Sequence, residues 1–228
     1  MTFNTQRYSF FVKQTKIICY IVLIIRQLDI IQQTLIMKRY LFFDTETTGL
    51  PLDYSLPRSA VDNWPRLVQL SWIITDDNGN RLKTADHIIR PNGFTIPVAS
   101  SNIHGITTEK AMAVGDDLYE VVKEFLNDYE AADLIVGHNV DFDKNVVGAE
   151  IIRMGLKDII DSKPSVCTMI SSTEYCALYN EYGIKWPKLQ ELYNILFDES
   201  FDNAHNSASD VAATERCFWQ LLHLKVIT

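Results

Sequence analysis

The chain has 228 residues and a formal net charge of −8, a length that fits one domain with enough apolar residues to bury a full core. Residues 1–36 carry Arg7, Lys13, Lys16 and Arg26 against Asp29, which leaves −11 for the remainder. So acidic a body excludes a protein that coats long stretches of nucleic acid through a basic stripe, because that mode needs Lys and Arg to neutralise phosphates; it still suits an enzyme that grips a few nucleotides through a metal.

Taken in order, the chain opens on an apolar run, residues 17–25, that follows Lys13 and Lys16 and ends at Arg26. A bilayer-spanning helix needs about 20 apolar residues, so no membrane span is expected, and no small-x-small cleavage site follows the run. Leu28, Ile31 and Leu35 recur at helical spacing. Met37-Lys38-Arg39 resembles an ordinary protein start. Residues 1–36 therefore read as an N-terminal leader, either an upstream extension outside the native fold or a short amphipathic helix, and residues 37–228 read as one domain. Cys19, Cys167, Cys176 and Cys217 lack CxxC spacing and have apolar neighbours, which predicts buried thiols in a reducing, cytoplasmic setting.

The apolar Leu41-Phe42-Phe43 delivers Asp44 and Glu46 into the small-residue turn Thr47-Thr48-Gly49. If Tyr40 to Thr45 form a strand, the period of two sends both carboxylates to one side. Taken alone the pair is either a cation clamp or a strand that ends in acidic loop residues. Residues 51–65, with three prolines, read as a surface loop, and residues 66–75 as a strand. Asp76-Asp77-Asn78-Gly79 is a hairpin turn, since Asn-Gly tolerates positive φ, and residues 80–90 return as the paired strand.

The periodicity then turns helical, with a cap at Thr107 or Thr108 and an amphipathic helix over 116–131. Leu134-Ile135-Val136-Gly137 has the look of a short buried strand, and His138-Asn139-Val140-Asp141-Phe142-Asp143 opens a helix that stops near Gly155. Residues 166–169 read as a further short strand, 188–196 as a helix, and about 206–224 as the last helix, with Asp210 in its first turns. An antiparallel meander followed by alternating helix and strand predicts an α/β fold: a mixed sheet flanked by helices, with its site at the carboxyl ends of the strands.

Asp44 with Glu46 ending the first strand, Asp143 at a strand-to-helix junction and Asp210 on the last helix are then three acidic sites. Two carboxylates 4 Å apart repel by about 4 kcal/mol at an effective dielectric near 20, so four together require cations. All-oxygen ligands select Mg²⁺ or Mn²⁺ over zinc, and two such ions suit in-line phosphoryl displacement. His205, five residues before Asp210, is either a base for an attacking water, for which an ordinary pKa near 6.5 is suitable, or a surface residue.

Phe43-Asp44-Thr45-Glu46-Thr47-Thr48-Gly49, His138 to Asp143 and His205-Asn206-Ser207-Ala208-Ser209-Asp210 resemble, in order, the three motifs of the DnaQ-like 3′-to-5′ exonucleases of the DEDD superfamily, in the subgroup whose fifth residue is histidine. The second motif, His-Asn-x-x-Phe-Asp, puts the carboxylate on Asp143 and makes Asp141 a variable position. The resemblance implies an RNase H-like fold, two divalent cations on Asp44, Glu46, Asp143 and Asp210, and His205 as general base. It further implies that Thr47 and Leu50 lie against the terminal nucleotide, with His104 of Ile103-His104-Gly105-Ile106-Thr107 near the groove.

The expected partner is a nucleic-acid 3′ end, single-stranded DNA foremost, with a DNA polymerase as a further associate. The alternatives are an exoribonuclease and, in another class, a non-catalytic nuclease-like subunit of a polymerase assembly. Tyr182 and Trp186-Pro187-Lys188-Leu189 form either a stacking surface for bases or part of the core. Lys144, Lys185 and Lys188 are candidates for phosphate contact or plain surface.

Overall fold

Alternating apolar residues on one central strand build two cores at once. The computed structural model describes residues 26–27, 37–202 and 205–227. The expectations for the apolar run at 17–25 and for Leu28, Ile31 and Leu35 lie outside these residues. The chain divides into two units, Met1–Met37 and Lys38–Thr228, and the sheet and the helices named below belong to the second.

Strand β1 (Tyr40–Thr47) pairs antiparallel with β2 (Leu67–Thr75), which pairs antiparallel with β3 (Arg81–Ile88). On its other side β1 pairs parallel with β4 (Leu134–Gly137), and β4 pairs parallel with β5 (Ser165–Cys167). The order is β3-β2-β1-β4-β5. β1 is thus the strand where the antiparallel half meets the parallel half, and its carboxyl end lies beside those of β4 and β5.

Between β3 and β4 run α1 (Val98–His104), α2 (Thr108–Val114) and α3 (Leu118–Ala131). Asp117 caps α3, its Oδ1 accepting from the backbone N–H groups of Tyr119 and Glu120, which satisfies donors that the first turn leaves open. Val121, Val122, Phe125 and Tyr129 form the buried stripe of α3. With α4 (Val140–Arg153) they cover the sheet face that carries Leu41 and Phe43, Phe43 meeting Phe125 at 5.3 Å between ring centroids.

The other face carries Phe42 and is covered by α7 (Leu189–Phe197) and α8 (Ser207–His223), with Phe42 edge-on to Phe218 at 5.4 Å. Burying a side chain the size of Phe42 contributes about 2 kcal/mol. Two single-turn helices, α5 (Thr168–Ser171) and α6 (Thr173–Cys176), and a small hairpin, β6 (Tyr179–Asn180) with β7 (Gly183–Ile184), join β5 to α7.

The mixed sheet flanked by helices is the architecture expected from the sequence. Several local readings change. The 51–65 segment is more than surface loop: it contains a 3₁₀ turn at Val61–Asn63, and Trp64 is buried in the core. The strand expected at 166–169 is Ser165–Cys167, with Thr168 already opening α5. Helix α1 and the β6–β7 hairpin were not expected. Lys144 is buried and paired with Asp161 at 2.8 Å, so it belongs to the fold and not to a phosphate contact. Cys167, Cys176 and Cys217 are free thiols. Among the described residues no helix is long and apolar enough to cross a membrane.

Candidate metal centre

Along β1 the side chains alternate, so Phe42, Asp44 and Glu46 share the face that α8 covers. α8 meets this face with its first turn. Ser207 Oγ donates to the Asp44 carbonyl at 2.7 Å, and Asn206 caps the helix by accepting from the Ser209 N–H. These contacts set Asp210 opposite the strand end: one carboxylate oxygen each from Asp44, Glu46 and Asp210 lie within 4.8 Å of one another.

Asp143 comes from the opposite side. It is buried in the first turn of α4, and its Oδ1 accepts from both the Thr45 N–H at 3.0 Å and the Thr45 hydroxyl at 2.6 Å. Asp141, by contrast, lies on the solvent side of that turn. The β4-to-α4 junction is tight. A Cβ on Gly137 would lie 2.9 Å from Val140 Cγ2, and Asn139 adopts a left-handed conformation with φ of 66°. The Asp143 charge acts on both Asp44 and Glu46, so the fourth carboxylate adjoins the other three without joining their closest cluster.

Burial and mutual repulsion leave these acids reluctant to ionise. Part of Asp44 remains open to solvent, but its carboxyl lies deep among protein atoms, and burial followed by the charges of Asp143, Asp210 and Glu46 raises it well above the usual carboxylate range. Burial, then Asp210 and Asp143, pushes Glu46 up to about 8. Burial also raises Asp143, against the two hydrogen bonds from Thr45, and Asp210, against its bond from the His205 backbone.

The donor set fits a hard divalent cation. It is all oxygen, it is destabilised by its own charge, and Asp210 Oδ1 is buried with no hydrogen-bond partner, which leaves its lone pairs open to an ion. Asp210 Oδ2 meanwhile accepts from the His205 N–H at 3.1 Å. His205 itself is exposed, in a left-handed conformation with φ of 68°, immediately before the helix cap.

The remaining expected residues lie along the turn after β1. Thr47 is buried, its hydroxyl donating to the Gly49 carbonyl at 2.6 Å, and Leu50 projects into solvent. His104 is buried at the end of α1. Its Nδ1 accepts from the Ile106 N–H, which puts the proton on Nε2, and that nitrogen faces the Thr47 backbone without a hydrogen bond of standard geometry. His104 therefore touches the turn, and any influence on a ligand passes through Thr47.

Sequence reasoning missed Thr45 and Ser207. Thr45 was readable in principle: sitting between two acids on a strand, it must point to the opposite face, which is the face from which α4 approaches. Desolvation of the half-buried His138 ring pushes its pKa down to about 4 and keeps it neutral. Its Nε2 donates to the Pro187 carbonyl, and its Nδ1 accepts from the Thr168 hydroxyl, both at 3.0 Å. A cleft of about 710 Å³ on the outer side of α8 contains none of the four acids, and its two arginines are already paired, Arg81 with Glu215 and Arg216 with Glu199.

The raised carboxyls give a pH signature. Between the ordinary and the folded pKa, the folded protein holds protons that the unfolded chain has released, so ion-free stability falls as pH rises. His138 works in the opposite sense, its depressed pKa costing stability only as pH drops below about 6.5. From about pH 6.5 to 8, therefore, urea unfolding in a chelator is expected to show declining stability, and Mg²⁺ to flatten the decline. Stability that rises across this window without ions would contradict the clustered geometry.

Residues 41–218 match the RNase_T family model, described as an exonuclease. A PolC-type DNA polymerase III of Pediococcus pentosaceus is 32% identical over 121 residues, covering 53% of this chain and 7% of that protein. A DNA polymerase III subunit epsilon-like protein of Rhodobacter capsulatus is 27% identical over 191 residues, 80% of this chain and 23% of that one. The chain thus spans under a quarter of either relative. Among solved structures, E. coli Exonuclease I in complex with a dA16 oligonucleotide superposes with a TM-score of 0.67 at 19% identity, over 83% of this chain and 42% of that one. That likeness places the mixed sheet in the RNase H-like class.

Proposed function

Because the chain belongs to the RNase_T family of exonucleases, we propose that it is a metal-dependent 3′-to-5′ exonuclease that removes nucleotides singly from single-stranded DNA and releases nucleoside 5′-monophosphates. The observation that carries this reading is the convergence of Asp44, Glu46 and Asp210, one of whose carboxylate oxygens, Asp210 Oδ1, is buried with no hydrogen-bond partner. Asp44, Glu46, Asp143 and Asp210 would hold two Mg²⁺ or Mn²⁺ ions. Bound there, such ions supply positive charge to the attacked phosphoryl group and to the leaving 3′-oxygen.

The protein's own groups do the rest. His205 accepts a proton on its imidazole from the attacking water, and its exposed position before α8 leaves the ring free to reach that water. The backbone bond from His205 to Asp210 Oδ2 keeps base and metal ligand in fixed relation. Thr45 holds Asp143 at the angle the cluster needs, as an outer partner that orients a ligand. Thr47 shapes the turn that receives the terminal nucleotide, His104 supports it from beneath, and Leu50 offers that nucleotide an apolar face.

The PolC-type and epsilon-like relatives support DNA as substrate and a DNA polymerase as associate. The free thiols suit a cytoplasmic setting. The test is digestion of matched DNA and RNA strands of one sequence, 5′-labelled, with Mg²⁺. A ladder that shortens from the 3′ end and faster loss of DNA are expected. Faster loss of RNA would make the protein an exoribonuclease, since the 2′-hydroxyl is sensed outside the metal site, and internal cuts or no cleavage would refute the exonuclease assignment.

A further inference from the structure

The hairpin β6–β7 exposes aromatic rings that the metal centre does not use. Tyr179 is 71% exposed, Tyr182 89% and Trp186 64%. Their placement follows from the hairpin itself. Tyr179 pairs with Ile184 across the strands, so these two side chains share a face. In extended chain Trp186, two residues on, alternates to that same face, and Tyr182 stands in the turn that Gly183 closes with φ of 115°. Leu178, at the hairpin base, packs instead into the core beside α7 and α8. One side of the hairpin is fastened, and the other is a row of rings in solvent.

The fastening connects this row to the catalytic edge. His138, the residue after β4, holds the Pro187 carbonyl next to Trp186 and also bonds Thr168, the first residue of α5. Pro187 is therefore tied to the carboxyl end of β4, from which α4 leads to Asp143.

We infer that the exposed face of the β6–β7 hairpin is a stacking platform for the bases of a single strand, upstream of the 3′ end held at the metal centre. This rests on the exonuclease reading for the direction of the strand. Charge selects this occupant. With −11 on residues 37–228, a polyanion is not held along its phosphates by a basic stripe, so hold on the upstream nucleotides must come from bases. Lys185, the basic residue within the row, is engaged with Glu191 at 2.5 Å, and Lys188, just past Pro187 in the chain, is exposed. Stacking on an aromatic ring is sequence-tolerant because every base has a π face, and it needs the base unpaired.

The test measures binding of a labelled strand of about ten nucleotides to the full chain in a chelator, by anisotropy. Separately, kcat/KM with Mg²⁺ is measured for that strand and for a dinucleotide. Tyr182→Ala and Trp186→Ala are each expected to weaken binding of the long strand about fivefold or more, with Trp186→Phe restoring much of it. The slope of affinity against salt should stay shallow and unchanged. The ratio of kcat/KM for the long strand over the dinucleotide should fall in the Ala variants. Tyr179→Ala, remote from Pro187, repeats the test without disturbing the His138 bond.

Unchanged binding, a steep salt slope, or equal competition by a duplex of the same sequence overturns the inference. Active wild type whose long-to-short ratio is untouched by these substitutions overturns the platform and leaves the exonuclease reading standing. Wild type that binds through the rings yet hydrolyses nothing supports the platform and defeats the exonuclease reading.

Discussion

Asp44→Asn is expected to reduce digestion of a 3′-labelled strand in Mg²⁺ by at least about a thousandfold, on the order of 4 kcal/mol of barrier. Asp44 is the member of the cluster that feels all three other acids, so replacing it with a neutral amide weakens the hold on cations at the centre. The loss must be separable from misfolding. Because the carboxyl is raised in the ion-free protein, the substitution relieves repulsion, and the variant should unfold at a higher temperature than wild type in a chelator. His205→Ala should cost about 10²- to 10⁴-fold, as for a general base. Thr45→Val removes the hydroxyl that donates to Asp143; it should cost about ten- to a hundredfold and shift half-saturation to higher Mg²⁺. Single-turnover rates across a Mg²⁺ titration check all three. Asp44→Asn activity within tenfold of wild type would remove Asp44 from the centre.

The largest effect on stability is expected at a carboxylate with no part in the chemistry. Glu150 on α4 is fully buried. It bonds Arg66 at 2.8 Å, Arg153 at 3.0 Å and the Leu67 N–H at 3.0 Å. It therefore ties α4 to the start of β2, which pairs with Thr47 at the end of β1. Glu150→Ala deprives the Arg66 guanidinium and a backbone donor of their carboxylate, leaves Arg153 only its bonds to the Val61, Trp64 and Pro65 carbonyls and opens a cavity, with an expected loss of about 3 to 5 kcal/mol. Glu150→Gln keeps some of the hydrogen bonds and should lose less. Urea unfolding of the two variants gives the comparison, and a loss under about 1 kcal/mol for the Ala form would mean that water replaces the carboxylate.

What could be read from the chain, and what could not, divides along the range of the interactions. The period of two that carries Leu41 to Glu46 is a local property, and it placed Asp44 and Glu46 on one face before any partner strand was known. Asn78-Gly79 marked the meander for the same reason. Helix α1, by contrast, contains Ser100, Ser101 and Asn102 and has no side-chain cap hydrogen bond, so local preference argued against it. Each strand of the β6–β7 hairpin is two residues long, too short for alternation to register. Lys144 was misread because its partner, Asp161, lies in a loop beyond α4 that no pattern locates. Of the four acids, Asp143 was the least legible: alternation along β1 says that Thr45 points away from Asp44 and Glu46, but not which helix meets it on that face.

The Ser207 hydroxyl bound to the Asp44 carbonyl has a consequence for the entropy of ion capture. Asp44 and Glu46 lie on a strand paired with β2 along their own stretch and with β4 as far as Phe42, and Ser207 fastens the helix that brings Asp210 to that strand. Three candidate ligands converge by folding alone. The conformational freedom that a flexible acidic loop would surrender on meeting a cation is already surrendered when the sheet forms, so binding has little left to order. Preorganisation of this kind sets the repulsion of unscreened carboxylates as the main cost of the ion-free state.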